Sequence, residues 1–484
     1  MPVRQVPVPD DYAADEEDEM NDPRSFPDID LADLQAHVRG PLVRPADPEY
    51  NAARSGWNAR FDRHPGAILR CRGTADVMAA VNFAREHRLP LAVRGGGHDF
   101  AGHSVLDGGL MIDLSPMKGI HVDPTGRTAR VQPGVTWGEL DHEAQAFGLA
   151  TTGGTVSTVG VAGYTLGGGT GYLARRHGLA VDNLMGADLV TADGNLIRAD
   201  ETTNADLFWA LRGGGGNFGV VTSFEYRLHP VGPEIMAGQI VHPLDAAKDA
   251  LALYRSFMAE APDEVTAYPF FLRLPPIEAI PPQLHGKPGL ILVMAHTGSV
   301  AEGGNALQPL TDFGDPILSA VQPMPYAAAQ QMFDAGMPKG NRRYSRAQYF
   351  REIPDGAIDT LVEWAGRLQG PFTTAYFEPM GGAINRIESG ATAFPHRSTS
   401  YSFHLVADWT DPAHDEEIME WADGFHAAMA EHTAGGVYVN LLSENEGERI
   451  REAYGENYRK LARIKAAWDP HNLFRRNQNI EPAT

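Results

Sequence analysis

Residues 89–99 read LPLAVRGGGHD, and the rest of the chain is best read outward from them. An apolar, strand-like run passes directly into Arg94-Gly95-Gly96-Gly97, and His98-Asp99 close the glycines. Glycine tolerates φ > 0 and lets backbone N–H groups approach an anion closely. A strand that empties into such a loop can wrap a diphosphate. The histidine that ends the run favours a working loop over an incidental turn.

Upstream, Thr74-Ala75-Asp76 caps VMAAVNFAREH, whose apolar spacing predicts an amphipathic helix. Downstream, GLMIDLS, RTARVQPG, MGADLVTADG and VVTSFEYRL read as short strands, with TWGELDHEAQAFG and NADLFWALR as helices between them. A second glycine-rich stretch, residues 152–172, interleaves hydroxyls with glycines and reads as a long loop. Val156, Val159, Val161, Tyr164 and Leu166 anchor it and argue against a flexible linker. A third, residues 213–219, formally matches a dinucleotide fingerprint at Gly214, Gly216 and Gly219, with Glu234 about twenty residues on. That fingerprint needs a strand before it and a helix after. Here the order is reversed, so a nicotinamide-dinucleotide site is rejected.

From about residue 232 the pattern changes. Alternating runs such as GLILVMAHTG and SYSFHLVADW join helical stretches 245–261 and 355–370. This predicts an antiparallel sheet with helices on one face. Residues 275–287 are proline-rich and read as a loop. Residues 446–468 read as one helix, stopped by Asp469-Pro470. The fold class expected is α+β.

At 484 residues the chain has room for two or three domains. Its net charge of −22 opposes nucleic-acid phosphates and anionic lipid, so neither nucleic acid nor membrane is an expected partner. Residues 9–20 are mostly acidic and read as a solvated, disordered tail. Residues 1–23 carry neither an apolar core nor a basic leader, and the single cysteine, Cys71, cannot form an intrachain disulfide; a cytoplasmic location is expected. Cys71 lies in AILRCR and reads as a buried strand residue. No metal ligand set is expected.

Six segments in order resemble the vanillyl-alcohol-oxidase (PCMH-type) FAD domain and, within it, the berberine-bridge-enzyme-like oxidoreductases. They are LAVRGGGHDFAGHS, GGLMIDLSPMKGI, VQPGVTWGEL, TVGVAGYTLGGGTGYLARRHGLAVDN, ADLFWALRGGGGNFGVVTSFEYRL and KAAWDPHNLFRRNQNI. Residues 170–230 are also similar to bacterial 6-hydroxynicotine-type oxidases. The resemblance implies a tail over 1–30, an FAD-binding domain over 31–230, a substrate domain over 231–432, and a segment over 433–484 that returns to the FAD domain. It further implies FAD bonded covalently through His98, whose ring nitrogen is a suitable nucleophile. The position of a second, cysteinyl link in some relatives falls at Val156, so a single link is expected.

The same resemblance points to flavin contacts at Arg94, Gly95, Gly96, Gly97, His98, Asp99, Gly102, Gly154, Thr155, Thr158, Val159, Gly160, Gly163, Gly167, Gly171, Tyr172, Asp182, Asn183, Gly219, Val220, Val221, Tyr438, Asn440 and Asn477. Val159 stands where oxygen access to the flavin is controlled. It favours an oxidase making hydrogen peroxide over the alternative, a dehydrogenase with another acceptor. The substrate is expected to be a small organic molecule oxidised at a C–H next to an alcohol or amine, which requires a positioned base. Counting back from Trp409 places His404 at the family's base position, and a histidine suits proton transfer near neutrality. Ser402, His404 and Val406 share one strand face. Where relatives carry a second base at the end of a YxNY motif, this chain has Leu441, leaving Tyr438 as a weaker candidate. Tyr164, Tyr376 and Glu378 complete the candidates, with Phe270 and Phe271 assigned to the core. Oligomeric state is not legible; a homodimer is one option.

Overall fold

The computed structural model describes residues 29–444 and 446–484. The acidic segment over residues 9–20 lies outside them. Among the described residues there are three main sheets and one two-stranded pairing of Leu149–Ala150 with His229–Pro230. The first sheet orders Leu42–Val43, Pro65–Arg70, Gly108–Asp113 and Leu91–Arg94. Its inner pairings are parallel. Helix Thr74–Glu86 packs on it through Val77, Ala80, Val81 and Ala84. Such a strand is covered on both faces, and Cys71, just past the end of Pro65–Arg70, is fully buried. Burial pushes its thiol well above the ordinary cysteine range.

The second sheet is antiparallel, in the order Ile120–Asp123, Thr128–Val131, Val220–Arg227, Leu184–Val190, Leu196–Asp200. The third has seven strands, all antiparallel: Leu318–Pro325, Glu234–Pro243, Pro288–His296, Val265–Arg273, Thr374–Pro379, Tyr401–Trp409, Arg342–Phe350. Helices Ala247–Glu260, Val300–Thr311, Asp355–Ala365 and Asp415–Ala430 cover one face of it. Period two divides each strand cleanly. In Tyr401–Trp409, residues Tyr401, Phe403, Leu405, Ala407 and Trp409 pack under the helices, and Ser402, His404 and Val406 take the opposite face. In Thr374–Pro379, Ala375 and Phe377 face the helices, which leaves Tyr376 and Glu378 on the side of His404.

Three local expectations are corrected. Asp76 does not cap its own helix, which has Gly73 at its N-cap with no side-chain bond. Its carboxylate instead accepts the backbone N–H groups of Arg39, Gly40 and Arg72 at 2.9, 3.1 and 2.8 Å. The stretch 152–172 is not one loop, because Val161–Leu166 forms a short helix whose Val161, Ala162, Thr165 and Leu166 are buried. The helix expected over 446–468 is broken: Ile450–Tyr454 ends at Gly455, whose φ of +49° leaves the helical region, and Tyr458–Trp468 resumes after a 3₁₀ turn. Among the described residues, no helix is long and apolar enough to cross a membrane.

Candidate functional site

A cavity of about 380 Å³ lies between the glycine loops and the exposed face of the seven-stranded sheet. That is within the roughly 300–1,000 Å³ usual for small-molecule sites. One wall carries Gly95, Gly96, Gly97, His98 and Asp99 after the strand Leu91–Arg94, with Gly154, Thr155, Val156, Val159, Gly160 and Gly163 opposite. The two loops touch along their backbones. A Cβ built on Gly96 would stand 2.4 Å from the backbone nitrogen of Gly160, and one on Gly160 would stand 2.5 Å from that of Gly96. Gly219, Val220 and Val221 line the cavity, as do Tyr438, Asn440, Leu441, Arg476 and Asn477 from the C-terminal segment. That segment is tied back by buried Lys465, which donates to the carbonyls of Asn217 and Phe474 at 2.7 and 3.0 Å.

The other wall is a cross-strand row. Phe270 pairs with Tyr376, and Tyr376 pairs with His404. Phe270 therefore lines the cavity, contrary to its expected core role, because its partner in register does; Phe271 packs under the helices. Tyr376 Oη lies 2.7 Å from His404 Nδ1, and His404 Nε2 lies 2.8 Å from Ser402 Oγ and 3.5 Å from Glu378 Oε2. Tyr164 donates its hydroxyl to the Thr170 carbonyl at 3.1 Å and lies the same distance from the Thr170 hydroxyl. Tyr438 accepts N–H bonds from Gly169 and Asn440, both at 2.9 Å.

Burial acts with opposite sign on the two titratable groups of this row. His404 is fully buried, and desolvation pushes its imidazole down to about 3. Both its ring nitrogens lie within hydrogen-bonding distance of a hydroxyl, and the lowered value leaves the imidazole neutral near pH 7. Burial acts in the opposite sense on Glu378 and pushes its carboxyl up to about 7. This is the value a general base needs at neutral pH. Desolvation, aided by the Glu378 charge, holds the phenols of Tyr164, Tyr376 and Tyr438 above the ordinary tyrosine range.

Several residues named from sequence stand outside the cavity wall. Arg94 is paired with buried Asp113 at 2.9 Å. Asp182 is paired with Arg397 at 2.7 Å, and Asn183 donates to the carbonyls of His177 and Leu179. Gly102 packs beneath Phe61, Gly167 against Asn440 and Gly171 against the Gly153 carbonyl. Tyr172 is buried edge-on to Tyr268. Thr158 meets His98, its hydroxyl 3.1 Å from Nε2. Sequence reading missed Trp57, whose ring stacks on His98 with centroids 4.6 Å apart. It also missed Tyr268, Thr170, His103 and Arg476 as wall residues. His103 and Arg476 lay within the quoted motifs; nothing local marks Trp57.

An FAD-binding-domain model matches residues 65–200, and a berberine and berberine-like model matches residues 437–481. The chain is 30% identical to the (R)-6-hydroxynicotine oxidase of Paenarthrobacter nicotinovorans, covering 92% of this chain and 97% of that protein. It is 31% identical to an FAD-linked oxidoreductase of Bacillus subtilis, with the same two coverages. Among solved structures, 6-hydroxy-D-nicotine oxidase from Arthrobacter nicotinovorans superposes with a TM-score of 0.82 at 29% identity, over 92% of this chain and 98% of that one. A chitooligosaccharide oxidase superposes at 0.83 with 25% identity, over 94% and 99%. Fold and site together define an FAD-dependent oxidoreductase. The chain belongs to the berberine-bridge-enzyme-like family of FAD-linked oxidoreductases.

The walls suit that cofactor. Close approach of glycine backbones leaves amides free to face a diphosphate. Arg476 adds positive charge to an otherwise acidic chain. Buried polar atoms without partners, among them His103 Nδ1, Tyr268 Oη and Asn477 Oδ1, belong to residues that line the same cavity. Such groups cost about 1–3 kcal/mol each unless something bonds them.

Proposed function

We propose that this protein is an oxidase that carries FAD covalently on His98 and oxidises a small organic substrate at a C–H next to an alcohol or amine. In this reading residues 31–230 and 433–484 hold the cofactor and residues 231–432 supply the substrate wall. The observation that carries it is the placement of Glu378, His404 and Tyr376 in one cavity with His98 and the glycine loops. Bound FAD supplies the hydride acceptor and passes the electrons to dioxygen, giving hydrogen peroxide. His98 would hold the cofactor through a ring nitrogen, and the glycine loops that share its cavity would hold the rest of the group.

The chain's own residues supply the proton chemistry. Glu378, whose Oε2 lies 3.5 Å from His404 Nε2, takes the O–H or N–H proton of the substrate. Neutral His404 orients Tyr376 through its hydroxyl. Phe270, Tyr268 and Val406 make the wall apolar and exclude water around the carboxyl. Tyr438 and Asn440 lock the C-terminal segment onto the Gly169 turn.

The test is to precipitate the purified protein in acid and record the visible spectrum of pellet and supernatant. Yellow retained in the pellet, and released by His98→Ala, supports attachment at His98; yellow in the supernatant removes that role. Peroxide production is then followed across alcohols and amines. Turnover that proceeds with a dye acceptor but not with dioxygen would replace the oxidase by a dehydrogenase.

A further inference from the structure

The surroundings of His98 contain more than a loop histidine needs. We propose that Thr158 and Trp57 are positioning residues for cofactor attachment, holding the His98 imidazole in one tautomer and one plane with Nδ1 bare toward the cavity. This rests on the reading of His98 as the attachment point.

Thr158 is exposed, but the chain on either side of it is anchored. Its neighbour Ser157 is clamped by Asp334, which accepts from the Ser157 N–H at 2.8 Å and the Ser157 hydroxyl at 2.6 Å. On the other side, the Val159 carbonyl accepts the Trp137 N–H at 2.9 Å. The Thr158 hydroxyl lies 3.1 Å from His98 Nε2. Among the described residues, His98 Nδ1 has no hydrogen-bond partner. With the ring proton on Nε2 and donated to Thr158, the in-plane lone pair of Nδ1 is free. The opposite tautomer would place a proton on Nδ1 and silence it as a nucleophile.

The plane of the ring is set from below. Trp57 stacks on it with an interplanar angle of 21°. Trp57 is held in turn by its backbone N–H on the Gly97 carbonyl at 3.1 Å and by Nε1 on the Met337 carbonyl at 3.2 Å. The Arg343 guanidinium also stacks on Trp57, 3.7 Å from its ring, and is fixed by a fully buried ion pair to Asp408 at 2.7 Å. Burial, then the charges of Arg343 and Lys339, hold the imidazole at about 3. The ring is therefore unprotonated, as a nucleophile must be, throughout the neutral range. Arg343 and Asp408 belong to the seven-stranded sheet, so the attachment residue is presented only once that sheet has docked against the glycine loops.

The experiment measures attachment rather than turnover. Wild type, Thr158→Val, Thr158→Ser and Trp57→Leu are produced under riboflavin limitation and mixed with FAD. They are precipitated in acid at intervals, and flavin in the pellet is measured. Thr158→Val should bind FAD yet attach it about tenfold more slowly, the rate equivalent of one net hydrogen bond of about 1.4 kcal/mol. Thr158→Ser, which keeps the hydroxyl, should restore the wild-type rate. Trp57→Leu should also slow attachment; if it fails to fold, Trp57→Phe, which keeps a ring, takes its place and should attach faster than Thr158→Val. Wild-type rates in Thr158→Val overturn the positioning role and leave attachment at His98 standing. A wild-type pellet without flavin overturns both.

Discussion

Replacing Glu378 by glutamine should make the protein more stable in mild alkali and nearly inactive. The side chain is buried among Tyr164, Tyr268, Tyr376, Tyr438 and His404. Burial raises all four phenols and lowers the imidazole. Within this group, then, only the carboxyl changes charge near pH 7. Its folded value of about 7 lies above its ordinary 4.5. Between those values the folded state holds a proton that the unfolded state has released, so stability falls as pH rises through the window and levels off above it. At about 1.4 kcal/mol per pH unit, the loss amounts to roughly 3 kcal/mol. Glutamine keeps the shape and cannot ionise. Urea unfolding of wild type and Glu378→Gln at pH 5 and pH 8 should give similar stabilities at the lower pH. At the higher pH the variant should lead by up to about 3 kcal/mol. Loss of the base should lower kcat/KM by about 10²–10⁴-fold. A stability difference that is the same at both pH values would refute the raised carboxyl, and with it the assignment of Glu378 as base.

Asp141, which does not line the cavity, serves as a control: buried, pushed up to about 7 by desolvation, and bonded by Gln330 at 3.1 Å. The sign is the same, so Asp141→Asn should remove a decline in stability between about pH 4 and 7 without lowering kcat, as measured by urea unfolding and by turnover. Asp408→Ala should cost about 3–5 kcal/mol by leaving Arg343 charged and unpaired, whereas the double replacement Arg343→Met with Asp408→Leu should cost much less in the same assay. Gly96→Ala should abolish flavin loading, because its Cβ would stand 2.4 Å from the Gly160 backbone; Gly390→Ala, which lies off the cavity wall and meets nothing within 4 Å, should load normally as judged by visible absorbance per mole of protein.

What the sequence determined by itself was local. Strand-then-glycine and helix-then-glycine order separated an FAD loop from a dinucleotide fingerprint, since backbone conformation is written in neighbouring residues. Period two put Ser402, His404 and Val406 on one face, and Tyr376 with Glu378 on another strand, before any fold was known. The tertiary structure decided everything that depends on register and burial. Register set Phe270 beside Tyr376 and so brought it to the cavity. Burial lowers the His404 imidazole and raises the Glu378 carboxyl, because desolvation lowers a base and raises an acid by amounts no sequence window contains. Trp57 reaches His98 from 41 residues upstream, and Arg343 reaches Trp57 from the seven-stranded sheet. Contacts between residues so far apart in the chain leave no pattern in either segment; they exist only because the seven-stranded sheet closes on the glycine loops.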